Sequence, residues 1–205
     1  MKWSELLDKF SDEIIFESKS IYVGEVNVHH IQNGLYQWVR HGKLIQLKRG
    51  LYAFNHPYRK EIPSSELVAN KLVYPSYISL RYALFFYDLI PEGVFTVTNI
   101  TTERGQHFTN PFGSFRYHHL SPDYFWGYHL FKQGERKISI AYPEKALLDY
   151  FYFIYGPITA ERIHEMRFQN LDQLSPERLS DFLRKFNRPK LYRVMQFNQF
   201  KEFIR

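Results

Sequence analysis

The 205-residue chain contains no cysteine. That excludes disulfides, thiolate nucleophiles and cysteine-ligated zinc. Long apolar runs are missing too. The densest, Ala83–Tyr87 and Tyr150–Tyr155, fall far short of the roughly 20 residues a membrane-spanning helix needs. The first residues, MKWSELLDKF, lack the apolar stretch of a signal peptide. These absences predict a soluble, cytoplasmic protein with no membrane partner. Nucleotide-binding and nucleophile signatures are also lacking: there is no G-x-x-x-x-G-K-[ST] phosphate loop and no G-x-S-x-G elbow. Neither repeats nor low-complexity tracts occur. A further absence is local: between Glu25 and Glu61 there is no Asp or Glu, while Arg40, Lys43, Lys48, Arg49, Arg59 and Lys60 fall inside.

DNA repels carboxylates, so a window of six cations and no acid suits a phosphate-facing surface. The window has a legible local structure. Val28, Ile31, Leu35, Trp38 and Val39 recur at helical spacing and share one face. Asn27 is a natural N-cap, and Gly42 stands where a helix ends in a left-handed turn. Leu44–Leu47 and Leu51–Phe54 read as strands joined by Lys48-Arg49-Gly50. A helix followed at once by a basic-tipped hairpin is the pattern of a winged helix-turn-helix, with the helix in the major groove and the hairpin on the backbone beside it. The helix face opposite the apolar stripe carries His29, Asn33, Tyr36, Gln37 and Arg40, with His30 at its edge. Asn and Gln can pair bidentately with adenine and Arg with guanine, so these six are the candidate base-reading residues. Lys43, Lys48 and Arg49 are the candidate phosphate contacts. The alternative is a solvated helix packed on a hairpin in some other α+β domain, since polar helix faces are common. Gly34 disfavours a helix interior by about 1 kcal/mol and suggests close approach of a neighbouring helix.

Apolar residues make up 44% of the chain and aromatics 19%, with 16 Tyr and 19 Phe, so the core should be aromatic-rich. The formal net charge of +6 is unevenly placed. Residues 1–60 hold nine Lys/Arg against six Asp/Glu, residues 61–176 ten against twelve, and residues 177–205 eight against three. The C-terminal cations Arg184, Lys185, Arg188, Lys190 and Arg193 form a second candidate polyanion surface.

Along the chain, Lys2–Phe10 reads as a short amphipathic helix. Ser18–Val23 reads as the first helix of the helix-turn-helix, with Gly24-Glu25 at its turn. Residues 1–56 form the first domain, the polar stretch 57–63 the linker, and residues 64–205 an α+β domain with a helical tail. In that second domain a helix starts at Ser64 or Ser65 and runs to Leu72. Tyr74–Tyr77 reads as a loop, Ser79–Leu89 as a helix and Gly93–Ile100 as a strand. Gln106–Thr109 with Ser114–His119 form a hairpin. Tyr128–Phe131 and Lys137–Ala141 are further strands. Helices cover Pro143–Tyr155, Ala160–Phe168, Pro176–Phe186 and Pro189–Phe203. The fold class expected is α+β.

Catalytic constellations are weak. The adjacent pairs His29-His30 and His118-His119 point to different sides, where a helical metal site wants i, i+4 spacing. Gly113-Ser114 followed by Asp123 resembles the start of a nucleotidyltransferase site, but Phe125 stands where the second carboxylate would be. Glu144, Lys145 and Asp149 are close in sequence. Lys145 and Asp149 sit at i, i+4 and can pair. Their structural reading places Glu144 at a helix N-terminus and has Asp149 bond a nearby loop. No metal, cofactor or catalytic residue is expected.

Three stretches taken together carry a family resemblance: Gly42–Tyr52 (GKLIQLKRGLY), Pro75–Leu84 (PSYISLRYAL) and Pro143–Asp149 (PEKALLD). In this order and spacing the chain resembles the AbiEi family, antitoxins of type IV toxin–antitoxin systems also described as transcriptional regulators of viral defence. The likeness runs from about Phe16 to Tyr155. It implies a bacterial two-domain protein whose winged helix binds double-stranded DNA at its own operator and represses its own operon. The C-terminal domain would carry antitoxicity and assist DNA binding. The functional partner implied is a nucleotidyltransferase-like toxin, countered without a stable complex. Lys43, Lys48 and Arg49 map onto the family's wing. The helix face differs: members often present Ser and Arg where this chain has Asn33, Gly34 and Tyr36. Two other functions remain open, an antitoxin acting by direct contact with a toxin and a nuclease.

Overall fold

The computed structural model describes residues 1–22, 27–201 and 203. The chain is mixed α+β. It opens with helix α1 (Trp3–Phe10), the short strand β1 (Phe16–Glu17), helix α2 (Ser18–Tyr22) and helix α3 (Val28–Arg40). The expected turn at Gly24-Glu25, with Val23, lies outside the described residues. Strands β2 (Leu44–Lys48) and β3 (Leu51–Phe54) follow, and β1 joins them in an antiparallel sheet of order β1-β3-β2. Gly42 and Gly50 take positive φ (69° and 81°), which the helix stop and the hairpin tip respectively require.

The rest of the chain is built on a six-stranded sheet. Helix α4 (Ser65–Leu72) is N-capped by Ser64, whose hydroxyl accepts the Leu67 N–H. Next come strand β4 (Ser76–Ile78), helix α5 (Leu80–Phe86), and strands β5 (Thr96–Thr101), β6 (Gln106–Asn110), β7 (Gly113–His119), β8 (Tyr128–Gln133) and β9 (Arg136–Ala141). The strand order is β6-β7-β5-β4-β9-β8. Two pairs, β5/β7 and β4/β9, run parallel; the others are antiparallel. Helices α6 (Pro143–Phe153), α7 (Ala160–Glu165), α8 (Pro176–Phe186), α9 (Pro189–Met195) and α10 (Asn198–Lys201) complete it. Among the described residues no helix is long and apolar enough to cross a membrane.

Several boundaries differ from the sequence reading. Strand β5 starts at Thr96 rather than Gly93, α6 stops at Phe153 rather than Tyr155, and α7 stops at Glu165 rather than Phe168. Three others have a clear local reason. Tyr74–Tyr77 is not all loop: β4 begins at Ser76 and is flanked by β5 and β9 near the middle of the sheet. A three-residue strand is too short to show a period of two. Helix α5 stops at Phe86, short of Leu89. Asp88 adopts a left-handed backbone (φ 54°), and the Leu89 N–H turns back to the Leu84 carbonyl, a Schellman-type end. The stretch 189–203 is two short helices rather than one, parted at Gln196-Phe197.

Buried apolar side chains divide into two clusters. The smaller joins Leu6, Phe10, Phe16, Ile21, Ile31, Leu35, Leu44, Tyr52 and Phe54. Its rings interlock, with Phe16 against Phe10, Tyr52 and Phe54 at 5.2–6.0 Å. The larger fills the sheet–helix layers of the rest of the chain, and Ile15, Leu47, Leu51 and Ala53 belong to it. The three-stranded sheet therefore has one face toward α1–α3 and the other toward the larger core.

At the centre of that core lies a fully buried ion pair, Lys145–Asp149 on α6. Asp149 also accepts from the Tyr77 hydroxyl (3.1 Å) and the Ser79 hydroxyl (2.8 Å), and Lys145 Nζ donates to Tyr77 Oη (3.0 Å). The ammonium sits over the rings of Trp126 and Phe186, each at 4.9 Å. Burial pushes the Asp149 carboxyl up and the Lys145 ammonium down, and each is opposed by the other's charge. Removing one partner leaves the other charged and buried. Lys145→Met should lower the free energy of urea unfolding by about 3–5 kcal/mol. Adding Asp149→Leu should recover part of that loss but not all, because the Tyr77 and Ser79 hydroxyls then lack an acceptor.

Candidate nucleic-acid interface

Helix α3 is set by its ends and its apolar stripe. The Asn27 side chain accepts the His30 N–H at 3.0 Å, capping the first turn. His41 Nδ1 lies 2.7 Å from the Gln37 carbonyl at the last turn. Ile31 and Leu35 are buried, while Trp38 and Val39 pack half-buried on the smaller core. Val28, at the edge of the stripe, is 37% exposed. The opposite face carries His29, His30, Asn33, Tyr36, Gln37 and Arg40, all exposed. None of these six side chains has a hydrogen-bond or ion-pair partner among the described residues. The face is thus polar, free of acid and available.

The hairpin is less free than its sequence suggests. Its tip is tied to α2, where the Ser18 N–H donates to the Gly50 carbonyl (2.9 Å). Lys48 is half-buried, and its Nζ donates to the Leu72 carbonyl at the end of α4. A carbonyl at a helix C-terminus attracts a cation, and this one draws Lys48 inward. Lys43 lies over the Trp3 ring at 4.9 Å, half-buried. Arg49 is exposed and has no ion pair among the described residues. Of the other cations in the acid-free window, Lys60 pairs with Asp12. A run without acid in sequence is therefore not wholly without acid in space: α1's end brings Asp12 beside it.

The C-terminal cations divide similarly. Lys190 donates to the Tyr152 (3.2 Å) and Ile154 carbonyls at the end of α6. Arg184 pairs with Asp181 one turn back on α8. Lys185 lies over Trp126 (4.6 Å) and Arg188 over Tyr124 (4.9 Å), with both side chains exposed. Arg193 is exposed beside a cavity lined by Gly156, Pro157 and Lys190. Lys190 holds a helix end rather than standing out as a phosphate contact.

The carboxylates weighed for catalysis are inside the protein. Glu144 is buried, accepting the Ser175 N–H (2.7 Å) and pairing with Arg178 (3.3 Å), so it anchors α8 to α6. Asp149 bonds Tyr77 in β4 and Ser79 in the turn after it, where the sequence reading expected a nearby loop. His118 and His119 do point apart: His118 is half-buried against Phe153, and His119 Nδ1 reaches the Glu103 carbonyl at 3.1 Å. Among the described residues no three His, Asp or Glu side chains group so as to hold a metal ion.

No protein-family profile matches the chain, and no curated protein matches it.

Gly34 does not mark a helix crossing. The three atoms nearest a Cβ built there all belong to Trp38 of the same helix, at 3.4–3.6 Å. Gly34→Ala should therefore raise stability by about 0.5–1 kcal/mol, read as a higher urea midpoint at unchanged slope. A loss would mean that the Trp38 ring cannot tolerate the contact.

Proposed function

We propose that the protein is a DNA-binding transcriptional regulator. Residues 1–56 act as a winged helix-turn-helix and α3 enters the major groove. The observation that carries this reading is the exposed face of α3. Six polar or basic side chains lie on one capped helix, with no acid among them and no partner among the described residues, and a hairpin follows at once. A solvated helix needs no such exclusion of acid. Asn33, Gln37 and Arg40 are the base-reading side chains, bordered by His29, His30 and Tyr36. Arg49 is the principal phosphate contact of the hairpin and Lys43 a partial one. Lys48 supports the fold. Lys185, Arg188 and Arg193 remain available for a second stretch of backbone.

The likeness of three ordered motifs to AbiEi antitoxins extends the proposal. The regulator represses its own operon and serves as the antitoxin of a type IV, abortive-infection system whose toxin resembles a nucleotidyltransferase. The protein itself is not an enzyme in this reading: Glu144, Lys145 and Asp149, the group weighed for a nuclease, have no solvent-exposed surface.

Fluorescence anisotropy with duplex DNA from upstream of the protein's own gene, against a scrambled duplex at two salt concentrations, tests this directly. Preference for the upstream DNA by a hundredfold or so, with steep salt dependence, is the expected result. Arg40→Ala should cost about 1–3 kcal/mol mainly on the preferred duplex. Arg49→Ala should weaken both duplexes alike and reduce the salt slope by about one. Lys48→Ala should lower thermal stability and leave the slope unchanged. Equal, weak binding to both duplexes would sink the reading and direct attention to a protein partner, beginning with the adjacent gene product.

A further inference from the structure

A cleft of about 420 Å³ opens between strands β5 and β7 and helices α5 and α6. The α3 face plays no part in it. Parallel pairing of β5 with β7 sets Thr98 opposite Arg116, and Ile100 opposite His118. The period of two then puts Thr96, Thr98, Arg116 and His118 on one side of the sheet. The α5 residues Leu80 and Arg81 border this side, and so do Tyr150, Phe153 and Ile154 from the end of α6. Val94 completes the apolar part of the wall.

Two features separate this cleft from an ordinary surface groove. The first is charge. Arg81 and Arg116 both line it, no acid does, and neither guanidinium has an ion pair or hydrogen bond among the described residues. Glu92 and Glu165 line an adjoining cleft that shares Arg81 and Tyr150. Glu92 is 4.0 Å from Arg167. The second is the mixture of walls. Tyr150, Phe153, Leu80, Val94 and Ile154 offer an apolar bed beside the two cations. His118 stands at their junction, its ring 5.2 Å from that of Phe153. Burial, with Arg116 adding to it, holds the His118 pKa below its usual value, so the neutral ring can donate or accept one hydrogen bond. The volume lies in the ordinary range for small-molecule sites.

We infer that this cleft binds a small aromatic anion, its flat ring against Tyr150 and Phe153 and its oxyanion on Arg81 and Arg116. Planar guanidinium groups match phosphate and carboxylate oxygens, and unpaired ones gain most from an anion. The ring supplies the apolar contact that an inorganic anion cannot. In a regulator such a site is a place for an effector, but binding there does not rest on the DNA-binding reading.

Isothermal titration of the full chain with phenyl phosphate, adenosine 5′-monophosphate, inorganic phosphate and benzyl alcohol tests the inference. The expected result is saturable one-to-one binding of phenyl phosphate or the nucleotide, at least tenfold tighter than inorganic phosphate or benzyl alcohol. Arg81→Ala and Arg116→Ala should each weaken it tenfold or more. Both side chains are exposed, so melting temperatures should stay unchanged. Arg184→Ala, elsewhere on the surface, should bind like the parent protein. No saturable binding of either aromatic anion would overturn the inference. Inorganic phosphate binding as tightly as phenyl phosphate would do so too, as would affinity unmoved by both arginine substitutions.

Discussion

The fold of residues 64–205 depends on one charge held in the wrong place. Lys145 and Asp149 lie on the first two turns of α6, with no exposed surface, inside an aromatic core. Such a pair persists only if each partner is satisfied, and satisfying Asp149 requires Tyr77 and Ser79. Those two residues belong to β4 and to the turn out of it. The carboxylate therefore fixes the central strand to α6 through side chains, where three residues of backbone pairing would hold it weakly. The turn at Ser79 also sets where α5 begins. Its first residue, Leu80, takes a left-handed backbone (φ 60°) that an aliphatic residue adopts only when its surroundings force it. Ser79, whose hydroxyl is held by Asp149, is the residue just before it. The parallel strands β4 and β9 meet at Ile78 and Ile140, three residues before α6 begins.

The sequence made the periodic elements legible and the pinned ones not. The α3 helix announced itself through a cap, a stripe and a glycine stop, all within the sixteen residues from Asn27 to Gly42. Hairpins announced themselves through Lys48-Arg49-Gly50 and Asn110–Gly113. Strand β4 could not, because Ser76–Ile78 has no room for alternation and its place in the sheet is set by Asp149, far along the chain. The pairing of Lys145 with Asp149 follows from i, i+4 spacing, but nothing local tells that both are buried. The α3 face was fully legible, since exposure on a helix is a matter of angle alone. The Arg81–Arg116 cleft was not. Its two cations come from elements adjacent only after β5 and β7 have paired in parallel, and parallel pairing leaves no short-range trace. The one available hint was the alternation Ser114, Arg116, His118 along β7.

Counting cations along the chain overstated the surface available to a polyanion, and the reason is systematic. A lysine near a helix C-terminus meets unpaired carbonyls whose partial charge rivals a distant phosphate. Lys48 meets those of α4 and Lys190 those of α6. Both are compact ammoniums on flexible stems, well suited to that task. Arginine is larger, planar and more weakly hydrated, and it tends to stay out as a fork for a planar anion or to lie on an aromatic ring. Arg40, Arg49, Arg81 and Arg116 stay out in this way, and Arg188 lies on Tyr124. The division is a tendency and has exceptions: Arg178 pairs with buried Glu144, and Arg162 donates to the Tyr155 and Pro157 carbonyls just past α6. Arg40 and Arg49 stand out on the α3–hairpin surface, and Arg81 and Arg116 in the cleft beside β5 and β7, apart from the C-terminal cations. In the proposed reading the two sites are separate, so DNA on one and a small anion on the other would each engage its own arginines without displacing the other.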